Sequence, residues 1–86
     1  MNDKKKELRD QIDAVDERIT ALLKERFNVV LALGALKKQN NLSVKDEGRE
    51  QIVLEKVKNA FEDEKMQVAA LNIYKQIIAQ CVNLQK

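Results

Sequence analysis

The N-terminal half of the chain carries an apolar stripe with the spacing of one long α-helix. Apolar residues recur at alternating steps of four and three, which places their side chains on one face of a helix. The stripe consists of Leu8, Ile12, Val15, Ile19 and Leu22. The next step falls on Arg26, and helical steps from there lead to Val30, Leu33 and Lys37. Two cations therefore share a face that should be buried.

The first helix is predicted to run from about Lys4 to about Lys38. It should end at Asn40 and Asn41, because asparagine favours turns and left-handed caps. At 1.5 Å per residue this helix would be roughly 50 Å long, more than a compact domain of this size needs. Two shorter helices would leave much of its stripe open to water. A homodimer in which two first helices pack against each other would cover it.

Two shorter helices should complete the chain. The second begins between Ser43, which with Asp46 approximates a capping box, and Gly48, and it ends at about Phe61. The acidic residues 62–64 mark the start of the third helix, because carboxylates favour a helix N-terminus. The third helix has its own stripe, which continues to a polar glutamine: Leu71, Tyr74, Ile78, Cys81, Leu84 and Gln85.

The composition agrees with an all-α fold. The 86 residues include 44% apolar and 35% charged side chains, two glycines and no proline, which is typical of a helical globular domain. We therefore predict a single domain over residues 1–86. The 16 basic and 14 acidic residues are mixed along the chain and give a net charge of +2, so nucleic acid is not an expected partner.

Missing residue types exclude several kinds of chemistry. The chain has no histidine and one cysteine, Cys81, so it offers no ordinary zinc site, no Ser-His or Cys-His pair and no internal disulfide. We expect neither a metal nor a cofactor. The N-terminus is polar and no apolar run approaches the roughly 18 residues of a transmembrane helix. The prediction is a cytoplasmic protein without membrane contact.

The cations on the buried face suggest an anionic ligand. Arg26 and Lys37 differ by about 20° around the helix axis and about 16 Å along it, a gap that two long side chains and a small dianion could span. Each has a simpler interpretation: Arg26 as a polar residue that fixes helix register, Lys37 as a side chain that reaches water. Polar residues on the other two helices favour a shared pocket. They are Asp46, Arg49, Glu50 and Gln85.

Two points about this pocket stay open at the level of the sequence. The charged residues of the second helix could instead form an exposed salt-bridged turn. Arg9 lies 17 residues before Arg26, roughly 25 Å along the axis, so both cannot bind one small molecule from the same helix. In an antiparallel dimer, the partner's Arg9 could reach the ligand.

Residues spread over nearly the whole chain form a combined pattern. They are Leu8-Arg9, Ile12-Asp13, Asp16, Ile19, Leu22-Leu23, Glu25-Arg26, Gly34, Lys37, Val44, Asp46, Arg49-Glu50, Ile77-Ile78 and Gln85. This pattern resembles that of the all-α (type II) chorismate mutases. The resemblance implies an intertwined helical homodimer with two equivalent sites, each completed by the other subunit. It also implies rearrangement of chorismate to prephenate, on the route to phenylalanine and tyrosine.

The resemblance assigns substrate-binding roles to the arginines. It implies that Arg26 and the partner's Arg9 hold the two carboxylates of chorismate, with Arg49 supporting that contact. Cys81 stands where many relatives have a hydroxyl residue near a substrate carboxylate. It is either a weaker donor at that position or simply a small buried apolar residue.

The remaining roles concern the reacting atoms. The resemblance implies that Lys37 and Gln85 contact the ether oxygen of the breaking bond. Glu50 and Asp46 would lie near the ring hydroxyl and order the second helix. A pericyclic rearrangement needs no covalent intermediate and no proton transfer, so a chain without an obvious nucleophile suits it.

Two other classes remain open. A pyruvate lyase acting on isochorismate would use a similar helical scaffold and similar cations, and Glu50 with Asp46 favours the mutase because carboxylates suit the ring hydroxyl of chorismate. A non-catalytic helical dimer would need none of these polar residues for packing. Gly34 within the first helix costs about 1 kcal/mol relative to alanine, which indicates close approach of another helix or a ligand.

Overall fold

The computed structural model describes residues 2–86, with side chains from residue 3 onward, and these residues form three α-helices. Helix α1 spans Asn2–Gln39, α2 spans Glu47–Asn59 and α3 spans Glu64–Gln85. The described part of the chain contains no strand. The predicted all-α fold with a long first helix is thus confirmed.

Helix α1 ends at the two asparagines, as predicted. Asn41 has a φ of 56°, the left-handed conformation that asparagine tolerates better than most residues. The amide of Leu42 donates to the carbonyl of Lys37 at 2.8 Å, and the amide of Asn41 donates to Lys38 at 3.3 Å. These two bonds form a Schellman motif, which satisfies carbonyls left without partners at the helix end.

Helix α2 begins with an aspartate cap. The Oδ1 atom of Asp46 accepts a hydrogen bond from the amide of Arg49 at 3.0 Å, which satisfies one of the free amides of the first turn. The predicted capping box at Ser43 is wrong, because the Ser43 hydroxyl donates to the carbonyl of Lys45 at 3.1 Å and does not reach the helix. The helix therefore starts at Glu47, inside the predicted interval.

The junction between α2 and α3 is formed by side chains, without glycine or proline. Helix α2 ends at Asn59 and not at Phe61 as predicted. The Nε2 atom of Gln67 donates to the carbonyls of Lys58 and Phe61 at 3.1 and 2.6 Å, so an α3 side chain satisfies groups that a longer helix would have paired. Helix α3 begins after Asp63, whose Oδ1 accepts from an amide of its first turn at 2.9 Å.

Helix α3 joins the other two helices. It packs against both α1 and α2, whereas α1 and α2 make no close approach to each other within the described residues. The buried positions lie on α1 and α3: Val30, Gly34, Ile78 and Cys81. The small core therefore sits where the C-terminal half of α1 meets α3.

The N-terminal half of α1 lies outside this core. Every side chain from residue 3 to residue 22 is exposed, including the predicted stripe, whose members expose between 47% and 62% of their surface: Leu8, Ile12, Val15, Ile19 and Leu22. The molecule extends 59 Å along its longest axis. As predicted, the two shorter helices leave this stripe uncovered. Within residues 2–86, no helix has an apolar stretch long enough to cross a membrane.

Candidate active site

A cavity of about 280 Å³ is lined by all three helices and by the turn between α1 and α2. Its volume is close to the lower limit of about 300 Å³ for small-molecule sites. Seven of the eight predicted site residues line it: Arg26, Lys37, Asp46, Arg49, Glu50, Cys81 and Gln85. The remaining wall is apolar, from Val29, Val30, Leu33, Val44, Val53, Ile78 and Val82. The polar residues that interrupted the helical stripes therefore converge on one cavity.

Arg26 projects from α1 and is held by uncharged groups of α3. Its Nη1 atom donates to the sulfur of Cys81 at 2.8 Å. Its Cζ atom lies 5.5 Å from the centroid of the Tyr74 ring, within the range of cation–π attraction. Arg26 is half-buried and, among the described side chains, forms no salt bridge. Its charge is therefore free to bind an anion in the cavity.

Lys37 lies near the C-terminal end of α1 and is also half-buried. Its Nζ atom donates to the carbonyl of Val44 at 2.8 Å. Because Val44 belongs to the turn, this bond ties the ammonium to the segment that connects α1 and α2. Lys37 has no salt bridge within residues 3–86, and an ammonium has three donors. Two of them thus remain for a ligand.

Gln85 reaches the cavity because α1 has no side chain at Gly34. A Cβ atom on Gly34 would lie 2.9 Å from Cγ and 3.3 Å from Cα of Gln85. The close helix approach predicted at Gly34 is therefore confirmed. The Nε2 atom of Gln85 donates to the carbonyl of Cys81 at 3.1 Å, while its Oε1 atom is buried without a hydrogen-bond partner. The amide of Gln85 is thus only partly satisfied by the described residues.

Helix α2 contributes the acidic part of the lining. Asp46, Arg49, Glu50 and Val53 all reach the cavity, as their shared helix face predicts. In the described part of the chain, none of the three charged residues forms a salt bridge, so the alternative of a salt-bridged turn is not realised. Glu50 is half-buried, and Asp46 uses one oxygen as the helix cap.

Arg9 lies outside the cavity. It is exposed on the uncovered half of α1, about 25 Å along the helix axis from Arg26. Its own chain therefore does not bring it to the other predicted site residues.

The charges of the lining favour an anionic ligand. Three cations, Arg26, Lys37 and Arg49, face two carboxylates, Asp46 and Glu50, and the lining includes no histidine. The cavity can supply several N–H donors and positive charge, which suits a molecule with more than one anionic group.

Two contributors to the site were not foreseen from the sequence. The carbonyl of Val44 holds Lys37, and the ring of Tyr74 holds Arg26. A backbone carbonyl in an irregular turn cannot be predicted as an acceptor from the pattern of residues. Tyr74 did carry a signal, because it stands two helical turns before Cys81 on the same stripe, but an aromatic residue on a stripe suits a core equally well.

The fold and the cavity define an all-helical protein with a cavity whose cations suit a small anion. Comparison with known proteins is more specific: the model of the family described as chorismate mutase type II matches residues 8–86. The chain belongs to this family. No solved structure matches it significantly.

A curated relative comes from Aquifex aeolicus (strain VF5), where it is a bifunctional chorismate mutase/prephenate dehydratase. The two are 36% identical over 85 residues, which cover 94% of this chain and 24% of the relative. The chain therefore spans about a quarter of the length of the relative that it matches.

Proposed function

We propose that this domain catalyses the rearrangement of chorismate to prephenate. The observation that carries the proposal is the convergence of seven predicted site residues on one cavity, in which Arg26 and Lys37 have no acidic partner among residues 3–86. Membership of the chorismate mutase family supports the same reaction. Chorismate is a dianion, and the cavity offers cations at two separated points.

The substrate carboxylates are the natural partners of the arginines. Arg26 would bind one of them, since its planar fork matches a carboxylate and most of its N–H donors are free. The partner's Arg9 would bind the other, with support from Arg49. Cys81 already accepts a hydrogen bond from Arg26, so its role in the proposal is to orient the guanidinium. These contacts would hold the substrate by its two carboxylates in the compact conformer that reacts.

Lys37 and Gln85 would act at the breaking C–O bond. As this bond lengthens in the transition state, its oxygen gains negative charge. A fixed ammonium therefore stabilises the transition state more than it stabilises the ground state. The bond to Val44 fixes Lys37 in advance. Gln85 would turn its amide so that Nε2 leaves the carbonyl of Cys81 and donates to the same oxygen.

The carboxylates of α2 would bind the remaining polar group of the substrate. Glu50, half-buried in the lining, can accept a hydrogen bond from the ring hydroxyl. Asp46 keeps α2 in register through its cap. No step in this scheme involves a proton transfer, a covalent intermediate, a metal or a cofactor.

The proposal includes a homodimer with shared sites. The single chain exposes 7363 Å², whereas a compact monomer of its mass, 9.9 kDa, exposes about 5200 Å². The excess of roughly 2000 Å² matches the surface that each subunit of a large obligate dimer buries. An antiparallel partner on the uncovered stripe would bring Arg9 to the open side of the cavity.

Two further statements belong to the proposal. We take residues 1–86 as one folding domain, which the single small core supports. We place the domain in the cytoplasm, because a free buried cysteine such as Cys81 suits a reducing compartment. The dehydratase activity in the name of the relative is not part of the proposal.

A product assay tests the function. Purified protein is incubated with chorismate and, in a separate reaction, with isochorismate. Loss of the substrate is followed by ultraviolet absorbance, and the product is identified by proton NMR. We expect prephenate. Salicylate and pyruvate from isochorismate would instead establish the lyase, and turnover of neither substrate would favour the non-catalytic dimer.

A further inference from the structure

Tyr74 contacts Arg26 without lining the cavity. The ring centroid is 5.5 Å from Cζ of Arg26, yet Tyr74 is not among the residues that form the cavity wall. Tyr74 and Cys81 are seven residues apart on α3, so they lie two turns apart on nearly the same face. Helix α3 therefore contacts the guanidinium at two points, an aromatic ring and a sulfur.

Tyr74 and Cys81 are both uncharged, and this affects how Arg26 can bind an anion. An acidic residue would hold Arg26 more strongly, but it would offset the positive charge and occupy the paired N–H groups that a carboxylate needs. A ring and a thiol hold the guanidinium while they leave most of its five donors available. The half-buried position of Tyr74 strengthens the attraction, because water competes less for the cation.

We propose that Tyr74 is a positioning residue, which holds the Arg26 guanidinium in the orientation that binds a substrate carboxylate. The inference rests on the proposed function. A free arginine side chain has many rotamers, and binding would have to restrict them. The contact with the ring restricts these rotamers before the substrate binds. In a variant without the ring, Arg26 is still present and is ordered when the substrate binds. The cost of that ordering therefore falls on KM and leaves kcat almost unchanged.

The first test compares three variants in the chorismate assay. Tyr74→Leu removes the ring and should raise KM by about 2- to 30-fold with kcat within about twofold of the parent. Tyr74→Phe keeps the ring and should retain the parental KM. Phe61→Leu is the matched control, since it removes an aromatic ring at the α2–α3 junction, away from Arg26. Circular dichroism and sedimentation establish that each variant keeps its helices and its oligomeric state.

The second test asks whether Tyr74 acts through Arg26. In an Arg26→Gln background no guanidinium remains to be held, so adding Tyr74→Leu should change kcat/KM by less than about twofold. A full further loss there would overturn the inference, because Tyr74 would then act by packing elsewhere. A KM for Tyr74→Leu equal to that of the parent would overturn it as well, as would an equal rise for Tyr74→Phe. A parent protein that turns over no chorismate would overturn both this inference and the proposed function.

Discussion

The two halves of α1 have the same apolar spacing but different surroundings. The C-terminal half packs against α3 and carries Arg26 and Lys37 into the cavity, whereas every side chain from residue 3 to residue 22 is exposed. The cause is length: α1 has 38 residues and α3 has 22, so at 1.5 Å per residue α3 is roughly 24 Å too short to cover it. An apolar stripe thus indicates that one face of a helix should be buried, but it does not indicate which residues bury it.

The largest expected effect concerns the packed half. Lys37→Ala should lower kcat by about 100- to 1000-fold, because in the proposed mechanism Lys37 supplies the fixed positive charge next to the oxygen that becomes negative. Lys38→Ala is the matched control, since its side chain is exposed on the next position of the same helix. It should keep parental kcat. Helical content and sedimentation should be unchanged in both variants, and equal activity of the two would contradict the role of Lys37.

The second prediction concerns the exposed half. Subunits with Arg9→Ala and subunits with Lys37→Ala should each be nearly inactive, but an equal mixture should recover about a quarter of the parental activity after exchange. Half of the dimers are then mixed, and each mixed dimer has one site with both native residues. The rate of chorismate loss measures the recovery. If mass spectrometry shows mixed dimers and no activity returns, Arg9 does not serve the partner's site.

The smallest expected effect tests the close approach of Gly34 and Gln85 in the packed half. Gly34→Ala places a Cβ atom 3.3 Å from the backbone of Gln85, so the end of α3 must shift and kcat should fall by about tenfold. The strain of about 1–3 kcal/mol should outweigh the gain of about 1 kcal/mol in helix propensity. Thermal unfolding measures the balance.

Gly48→Ala provides the comparison for this variant. Its added Cβ would meet only Oδ1 of Asp46, at an ordinary 3.6 Å, so it should gain helix propensity without strain. Equal kcat in the Gly34 and Gly48 variants would show that the contact with Gln85 does not set the geometry of the site.

The sequence predicted the helices well because local signals dominate their ends. Asn41 adopts a left-handed conformation, and the carboxylate of Asp63 caps α3. The prediction was wrong at two places where a side chain forms a hydrogen bond that the residue pattern does not indicate. Ser43 forms a bond within the turn, and Gln67 of α3 satisfies carbonyls at the end of α2, which therefore stops before Phe61.

The residues of the site were easier to predict from the sequence than the partners that hold their side chains. Arg26 and Lys37 stood out because charge on a buried stripe is costly without a partner. Their partners could not be read from the pattern, since one is a carbonyl of an irregular turn and the other is the face of Tyr74, a residue equally suited to a core. Arg9 remains a prediction, because its proposed contacts lie in a second chain.

The separation of α1 from α2 has a consequence for how such a domain evolves. Since the backbones of these two helices do not approach each other closely within the described residues, the distance between them depends on α3, which packs against both. Larger or smaller side chains on the face of α3 that packs against α1 and α2 can widen or narrow the gap between these two helices. Such residues need not contact a substrate, and the cations of the cavity can stay unchanged. Selection can thus change which molecules fit the cavity through substitutions in α3, while the residues that contact the ligand stay the same.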